Sequence, residues 1–141
     1  MFFLIKIDKD ARYFIFEYKG NPVGFVSFTK IDWKNNRCYW AFYLGEQNIP
    51  KGTGAAMEFF ALSYIFDQLN IRKLCCEVFV FNSSVIKLHH RFGFTEEGRF
   101  VRHYLKNDKY EDIVCLAQFK EVWESNKDKF RVSLFRKSES S

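Results

Sequence analysis

Two short stretches of this sequence hold residues whose types and spacing could do chemistry. The first is Ile49-Pro50-Lys51-Gly52-Thr53-Gly54-Ala55-Ala56, set between a strand-like run and a helix-like one. Glycine lets a backbone approach a ligand closely, and the first N–H groups of a helix have no partner inside it. A pyrophosphate would satisfy those donors and gain from the helix dipole. A plain turn at a helix start explains the same glycines equally well. The third glycine of a dinucleotide fingerprint and the Lys-Ser/Thr of a P-loop are missing, so neither nucleotide loop fits. The second stretch, residues 82–94 (NSSVIKLHHRFGF), follows a strand carrying Glu77. Asn82 sits where strand gives way to helix and either hydrogen-bonds an extended amide chain or simply caps the helix. Glu77 shares a strand face with Phe79 and Phe81, where a carboxylate is costly without a partner or a task.

The elements that must position these residues follow from hydrophobic period. Residues 12–18 (RYFIFEY), 23–31 (VGFVSFTKI) and 37–44 (RCYWAFYL) read as three antiparallel strands joined by polar turns. The period then changes: Met57, Phe60, Ala61, Tyr64, Ile65 and Leu69 recur at helical spacing, predicting a helix over 53–69. Residues 71–81 read as a buried strand and 83–92 as a second helix ending before Gly93. Residues 94–105 and 110–119 form a hairpin about Asn107-Asp108. The order β-β-β-α-β-α-β-β predicts a single α/β domain over 1–120, a mixed and mostly antiparallel sheet with helices on its faces. Residues 121–141 are polar and basic and read as a frayed tail.

Composition narrows the field. At 141 residues the chain is long enough for one domain and too short for two. No apolar run approaches the roughly 20 residues that cross a bilayer, and the opening MFFLIK is too short for a signal peptide. A cytoplasmic protein with no membrane partner is the expectation. Cys38, Cys75, Cys76 and Cys115 lie in apolar runs without ligand spacing, and adjacent strand residues point to opposite faces. They read as reduced, buried thiols, with no metal site. The net charge of +5 favours an anionic partner such as CoA, a nucleotide sugar or nucleic acid. Nucleic acid is set aside because the aromatics fall inside strand and helix patterns that explain them as core.

Strand, Gly-x-Gly helix, strand, then Asn82-x-x-Val85-x-x-Leu88-His89-x-x-x-Gly93-Phe94 resembles the GCN5-related N-acetyltransferase (GNAT) superfamily over about residues 12–120. The run from Leu88 onward resembles the branch that acetylates the 4-amino group of a UDP-linked amino-dideoxy sugar in pseudaminic acid biosynthesis, with ribosomal-protein N-terminal acetyltransferases as the neighbouring branch. The resemblance implies acetyl-CoA as donor, a small-molecule amine, here a nucleotide sugar, as acceptor, and no metal. It implies that the backbone of Phe42, Tyr43 and Leu44 pairs with the pantetheine arm. Pro50, Lys51, Gly52, Thr53, Gly54 and Ala55 form the pyrophosphate loop, and Asn82 contacts the pantetheine. Lys87 either reaches the CoA phosphates or is a solvated helix charge. Glu77 matches a position used as a base, against the alternative of an ordinary ion pair. His89 stands where the family often has a thiolate-protonating Tyr; imidazole can do that work near neutral pH, or the ring merely packs on the helix flank. His90 points elsewhere on the helix. His103 and Tyr104 fall near the acceptor region.

Ile49 replaces the Gln or Arg that often opens the family's loop. Only about ten residues precede the 12–18 strand, where the resemblance implies a strand and two helices that wall the acceptor site. This shortened start is expected to leave aromatic side chains of the Trp40–Leu44 and Phe79–Phe81 strands facing water, to be covered in a homodimer. Residues Met1–Ile7 either join that contact or fold back on the sheet. The rival readings are a protein or peptide N-terminal acetyltransferase and a non-catalytic CoA-binding module.

Overall fold

In the computed structural model, which describes residues 2–45 and 50–139, four strands open the chain: β1 (Phe2–Asp8), β2 (Ala11–Tyr18), β3 (Asn21–Asp32) and β4 (Arg37–Leu44). Helix α1 (Thr53–Leu62) runs into a π-helical segment, Ser63–Gln68, and is followed by β5 (Lys73–Phe79) and α2 (Ser83–Arg91). Strands β6 (Thr95–Lys106) and β7 (Lys109–Phe119) precede α3 (Lys120–Glu139). The sheet order is β1-β2-β3-β4-β5-β7-β6, antiparallel except at the parallel β4–β5 junction. The α/β class, the mixed sheet and the two expected helices are as the sequence pattern indicated. Two-residue turns at Lys19-Gly20 and Asn107-Asp108 carry positive φ at both positions, which suits the twist of a tight hairpin.

The N-terminal run takes one of its two expected courses, and the expected tail is replaced by a helix. Residues 2–8 form a strand paired antiparallel with β2, with Phe2 stacked on Phe14 at 4.4 Å, so this run folds back on its own sheet. The expected frayed tail is helix α3. Its Trp123 is fully buried against Phe59 (5.3 Å) and Phe66 (6.3 Å), and the indole N–H donates to Asp67 Oδ1 at 3.0 Å. Phe130, about two turns farther along the same stripe, meets Phe92 at 5.4 Å.

Phe14, Phe28, Trp40, Leu74, Cys76 and Leu116 point from one face of the sheet into a single core shared with α1, α2 and α3. Helix α1 is therefore enclosed on several sides: Met57 and Ala61 are fully buried, Phe59 lies under Trp123, and Glu58 is buried toward α2. Phe60, expected inward, is 46% exposed. The opposite sheet face carries Tyr13 stacked on Phe25, Tyr39, Ala41, Tyr43 and Glu77, all half-buried or exposed.

Candidate active site

The site begins where two strands part. β4 and β5 pair only at Arg37↔Lys73, Cys38↔Leu74 and Tyr39↔Cys75. Beyond Tyr39 the strands diverge, and the edge of β4 from Trp40 to Leu44 faces a cavity of about 980 Å³ instead of a neighbour. Its other edge is held by β3 through Val26↔Phe42, Phe25↔Tyr43 and Gly24↔Leu44. An edge with spare N–H and C=O groups is a template for an extended chain of amides.

The same cavity receives the start of α1. Gly52 is the N-cap with φ of 89°, a left-handed backbone that costs other residues about 1–2 kcal/mol. Thr53 Oγ1 donates to the Pro50 carbonyl at 2.7 Å, closing the turn. Ala56 N–H bonds the Gly52 carbonyl at 2.9 Å, so the Gly54 and Ala55 N–H groups point out of the helix end. A Cβ on Gly54 would lie 3.3 Å from Leu44 Cδ1 and 3.6 Å from Leu88 Cδ2, in the throat between β4 and α2. Open amides, a strand edge unpaired among the described residues and a cavity at the upper end of small-molecule sites in volume fit a phosphorylated pantetheine.

Most of the sequence-derived set meets here. Phe42, Tyr43, Leu44, Gly52, Gly54, Ala55, Glu77, Asn82, Lys87 and His89 all line the cavity. Asn82 is the N-cap residue of α2 but makes no side-chain capping bond, so capping does not explain it. Pro50, Lys51 and Thr53 belong to the loop but do not line the cavity, and Ile49 lies outside the described residues. His103 and Tyr104 are not brought to the cavity: both are exposed on β6, with Tyr104 resting against Phe79 at 6.1 Å. Arg91, which the sequence reading did not single out, also lines it.

Alternation along the strands sorts the candidate acid and base. Glu77 is exposed on the outer face with Cys75 and Phe79, while Cys76 and Val78 turn into the core. His89 is on the inner side, 2% exposed, with its ring against Trp40 (5.3 Å), Phe42 (5.7 Å) and Phe94 (5.2 Å). It does not pack there alone. His89 Nδ1 lies 2.9 Å from both carboxylate oxygens of Glu58, a fully buried residue missed by the sequence reading. Burial pushes the Glu58 carboxyl above its ordinary range, against the opposing pull of His89 and Arg91. His90, by contrast, is exposed and turns Nδ1 to the Phe94 carbonyl at 2.9 Å. The four cysteines are free; Cys38 and Cys76 are buried, Cys75 and Cys115 half-buried, and burial lifts the Cys38 thiol to about 12. Among the described residues no cluster of His, Cys, Asp and Glu could hold a metal, and no helix is long and apolar enough to cross a membrane.

A sheet split at a parallel junction, with a helix end and an open strand edge in the split, is the architecture of an acyl-CoA-using domain. The family model for the acetyltransferase (GNAT) domain matches residues 3–115, and the chain belongs to that family of N-acetyltransferases, whose donor is acetyl-CoA. The chain is 29% identical over 124 residues to the SPbeta prophage-derived uncharacterized N-acetyltransferase YokL of Bacillus subtilis, covering 86% of this chain and 69% of that one. It is 26% identical to spermidine N(1)-acetyltransferase of Vibrio cholerae, covering 74% of this chain. It spans 60% of that relative's length. A dodecameric structure of the Vibrio cholerae spermidine N-acetyltransferase superposes with a TM-score of 0.77 at 25% identity, over 82% of this chain and 68% of that one.

Proposed function

We propose that the chain transfers acetyl from acetyl-CoA to a primary amine, and that the acceptor is a small cationic amine of the polyamine kind rather than a nucleotide sugar. The observation that carries the donor half is the partnerless β4 edge opening on the same cavity as the Gly54 and Ala55 amides. Bound there, acetyl-CoA supplies an activated acyl carbon; the chain supplies position and proton handling. Main-chain groups along Trp40–Leu44 hold the pantetheine, Gly52–Ala55 the pyrophosphate, with Asn82 and Lys87 at the flank.

The acceptor half rests on charge as well as on the names of relatives. Glu77 is an exposed carboxylate in the cavity lining, whereas Glu97 is paired with Lys73 at 2.9 Å and Glu96 with Arg99 at 3.6 Å. A polyamine meets Glu77 with the right sign, whereas the diphosphate of a nucleotide sugar meets it with the wrong one. An ammonium must lose a proton before its nitrogen can attack, and Glu77 stands on the acceptor side to take it. His89 stands on the other side of the split sheet to protonate the departing sulfur. Backbone N–H groups at the parted strands stabilise the developing oxyanion.

The open outer face favours a second reading, in which a protein N-terminus lies across Tyr39 and Tyr43. Exposed Tyr39, Tyr43, Phe81 and Tyr104 also support association of two copies. Thiol release from acetyl-CoA should be measured with spermidine, a UDP-4-amino sugar and short peptides. Turnover with spermidine is expected. Turnover with the sugar or the peptides alone would replace the acceptor, and CoA binding without turnover on any amine would make the chain a binding module.

A further inference from the structure

Glu58 sits inside α1 with no exposed surface, and among the described residues its hydrogen-bond partner is His89, the histidine of the cavity wall. A buried carboxylate–imidazole pair costs desolvation, and a pair of apolar side chains of similar volume would hold two helices together at least as well. Packing therefore does not account for it. With Nδ1 held by Glu58, Nε2 is the ring nitrogen left to serve the cavity.

We infer that Glu58 is a positioning residue for proton transfer: it fixes the orientation and tautomer of His89 and supplies the counter-charge that lets the buried imidazole carry a second proton on Nε2. The inference rests on the reading of His89 as the donor to sulfur. On acyl transfer the C–S bond breaks, sulfur leaves with its electron pair and takes the Nε2 proton, and the C–N bond forms. The ammonium sheds two protons, to Glu77 and solvent, and His89 is reprotonated from solvent, so one proton is released per turnover. Without an anion at Nδ1, an imidazolium surrounded by Trp40, Phe42 and Phe94 would be strongly disfavoured. The other titratable groups facing the pair are Arg91 on α2 and the Cys76 thiol on β5, which Glu58 helps to keep protonated. Helix α3 meets α1 elsewhere, through Trp123 on Phe59.

The test begins with nitrogen NMR of the imidazoles of the full chain across pH 5–9, the His89 signals identified by their loss in His89→Gln. Expected is an Nδ1 that stays protonated throughout and an Nε2 whose titration moves to lower pH in Glu58→Gln. A bare Nδ1 in the wild-type chain, or an unmoved midpoint in the variant, overturns the inference. Acetyl-CoA turnover with spermidine as probe then separates the layers. If His89→Gln keeps the wild-type kcat over this range, the donor reading of His89 fails. If His89→Gln is slow while Glu58→Gln keeps both kcat and its high-pH limb, the role of Glu58 alone fails. Glu58→Asp should restore part of the limb, and the wild-type spectrum decides even where Glu58→Gln does not fold.

Discussion

Replacing Gly54 by Val separates ligand grip from folding. Gly54 lies in helical backbone, so Val is conformationally allowed, and exchanging Gly for Val inside a helix gains a few tenths of a kcal/mol in propensity. Against this stands the tight approach of Cβ to Leu44 Cδ1 at 3.3 Å, with Leu88 Cδ2 at 3.6 Å. Crowding of that order costs about 1 kcal/mol, so net stability falls by about 1 kcal/mol or less and Tm by only a few degrees. The added methyl groups, however, enter the throat where the Gly54 and Ala55 amides meet the pyrophosphate. Each hydrogen bond to a charged phosphate contributes about 1.5–3 kcal/mol, and losing the equivalent of about 3 kcal/mol weakens binding roughly 100-fold. Titration calorimetry with CoA, beside thermal unfolding, should therefore show a Kd raised by about two orders of magnitude with Tm nearly kept. Pantetheine without the phosphates should bind both proteins alike. An unchanged Kd for CoA would refute the placement of the pyrophosphate at this helix end.

Glu77→Gln should lower kcat by roughly 10²- to 10⁴-fold and leave the acetyl-CoA dissociation constant in place; wild-type rates across pH 6–9 would remove Glu77 from the mechanism. Trp123→Ala should destabilise the fold by about 3–5 kcal/mol, enough to lower Tm by more than 10 °C, and a shift of only a degree or two would mean that α3 is not docked. A thiol reagent at pH 8 should label Cys75 and Cys115 slowly in the native protein while sparing Cys38 and Cys76, with all four reacting on unfolding; rapid labelling of Cys38 would contradict its burial. Light scattering at micromolar concentration should give roughly twice the 16.9 kDa chain mass, and a monomer with full activity would rule out the dimer.

What the sequence revealed of this site depended on how local each signal is. The glycines at 52 and 54 and the helix opening after Asn82 are features of a few consecutive residues, and both lie where the pattern put them. Glu58 was hidden because a helical period sorts residues into one inner and one outer face. Helix α1 has no such division, being covered by the sheet at Met57, by α2 at Glu58 and by α3 at Phe59. The only available signal was a carboxylate placed between two large apolar residues. Helix α3 was read as a tail because Trp123, Phe130 and Leu134 make a thin apolar stripe in a polar run; that stripe suffices because Trp123 brings its own large contact area. The pairing of residues 2–8 with β2 depends on a tertiary choice between two surfaces, which the apolar run itself does not determine.

The parted edge of β4 bears on how this chain tolerates mutation. A ligand gripped by main-chain amides draws little of its affinity from the identities of Phe42, Tyr43 and Leu44, so these positions are free to drift among strand-compatible residues. Their register is not free. Inserting or deleting one residue between Tyr39 and Leu44 would carry Trp40 and Phe42 from the core to solvent, and bring the outward Ala41 and Tyr43 positions into their place. The donor groove should thus accept many substitutions in this segment and almost no change in its length, and a deep scan covering both kinds of variant would expose that asymmetry.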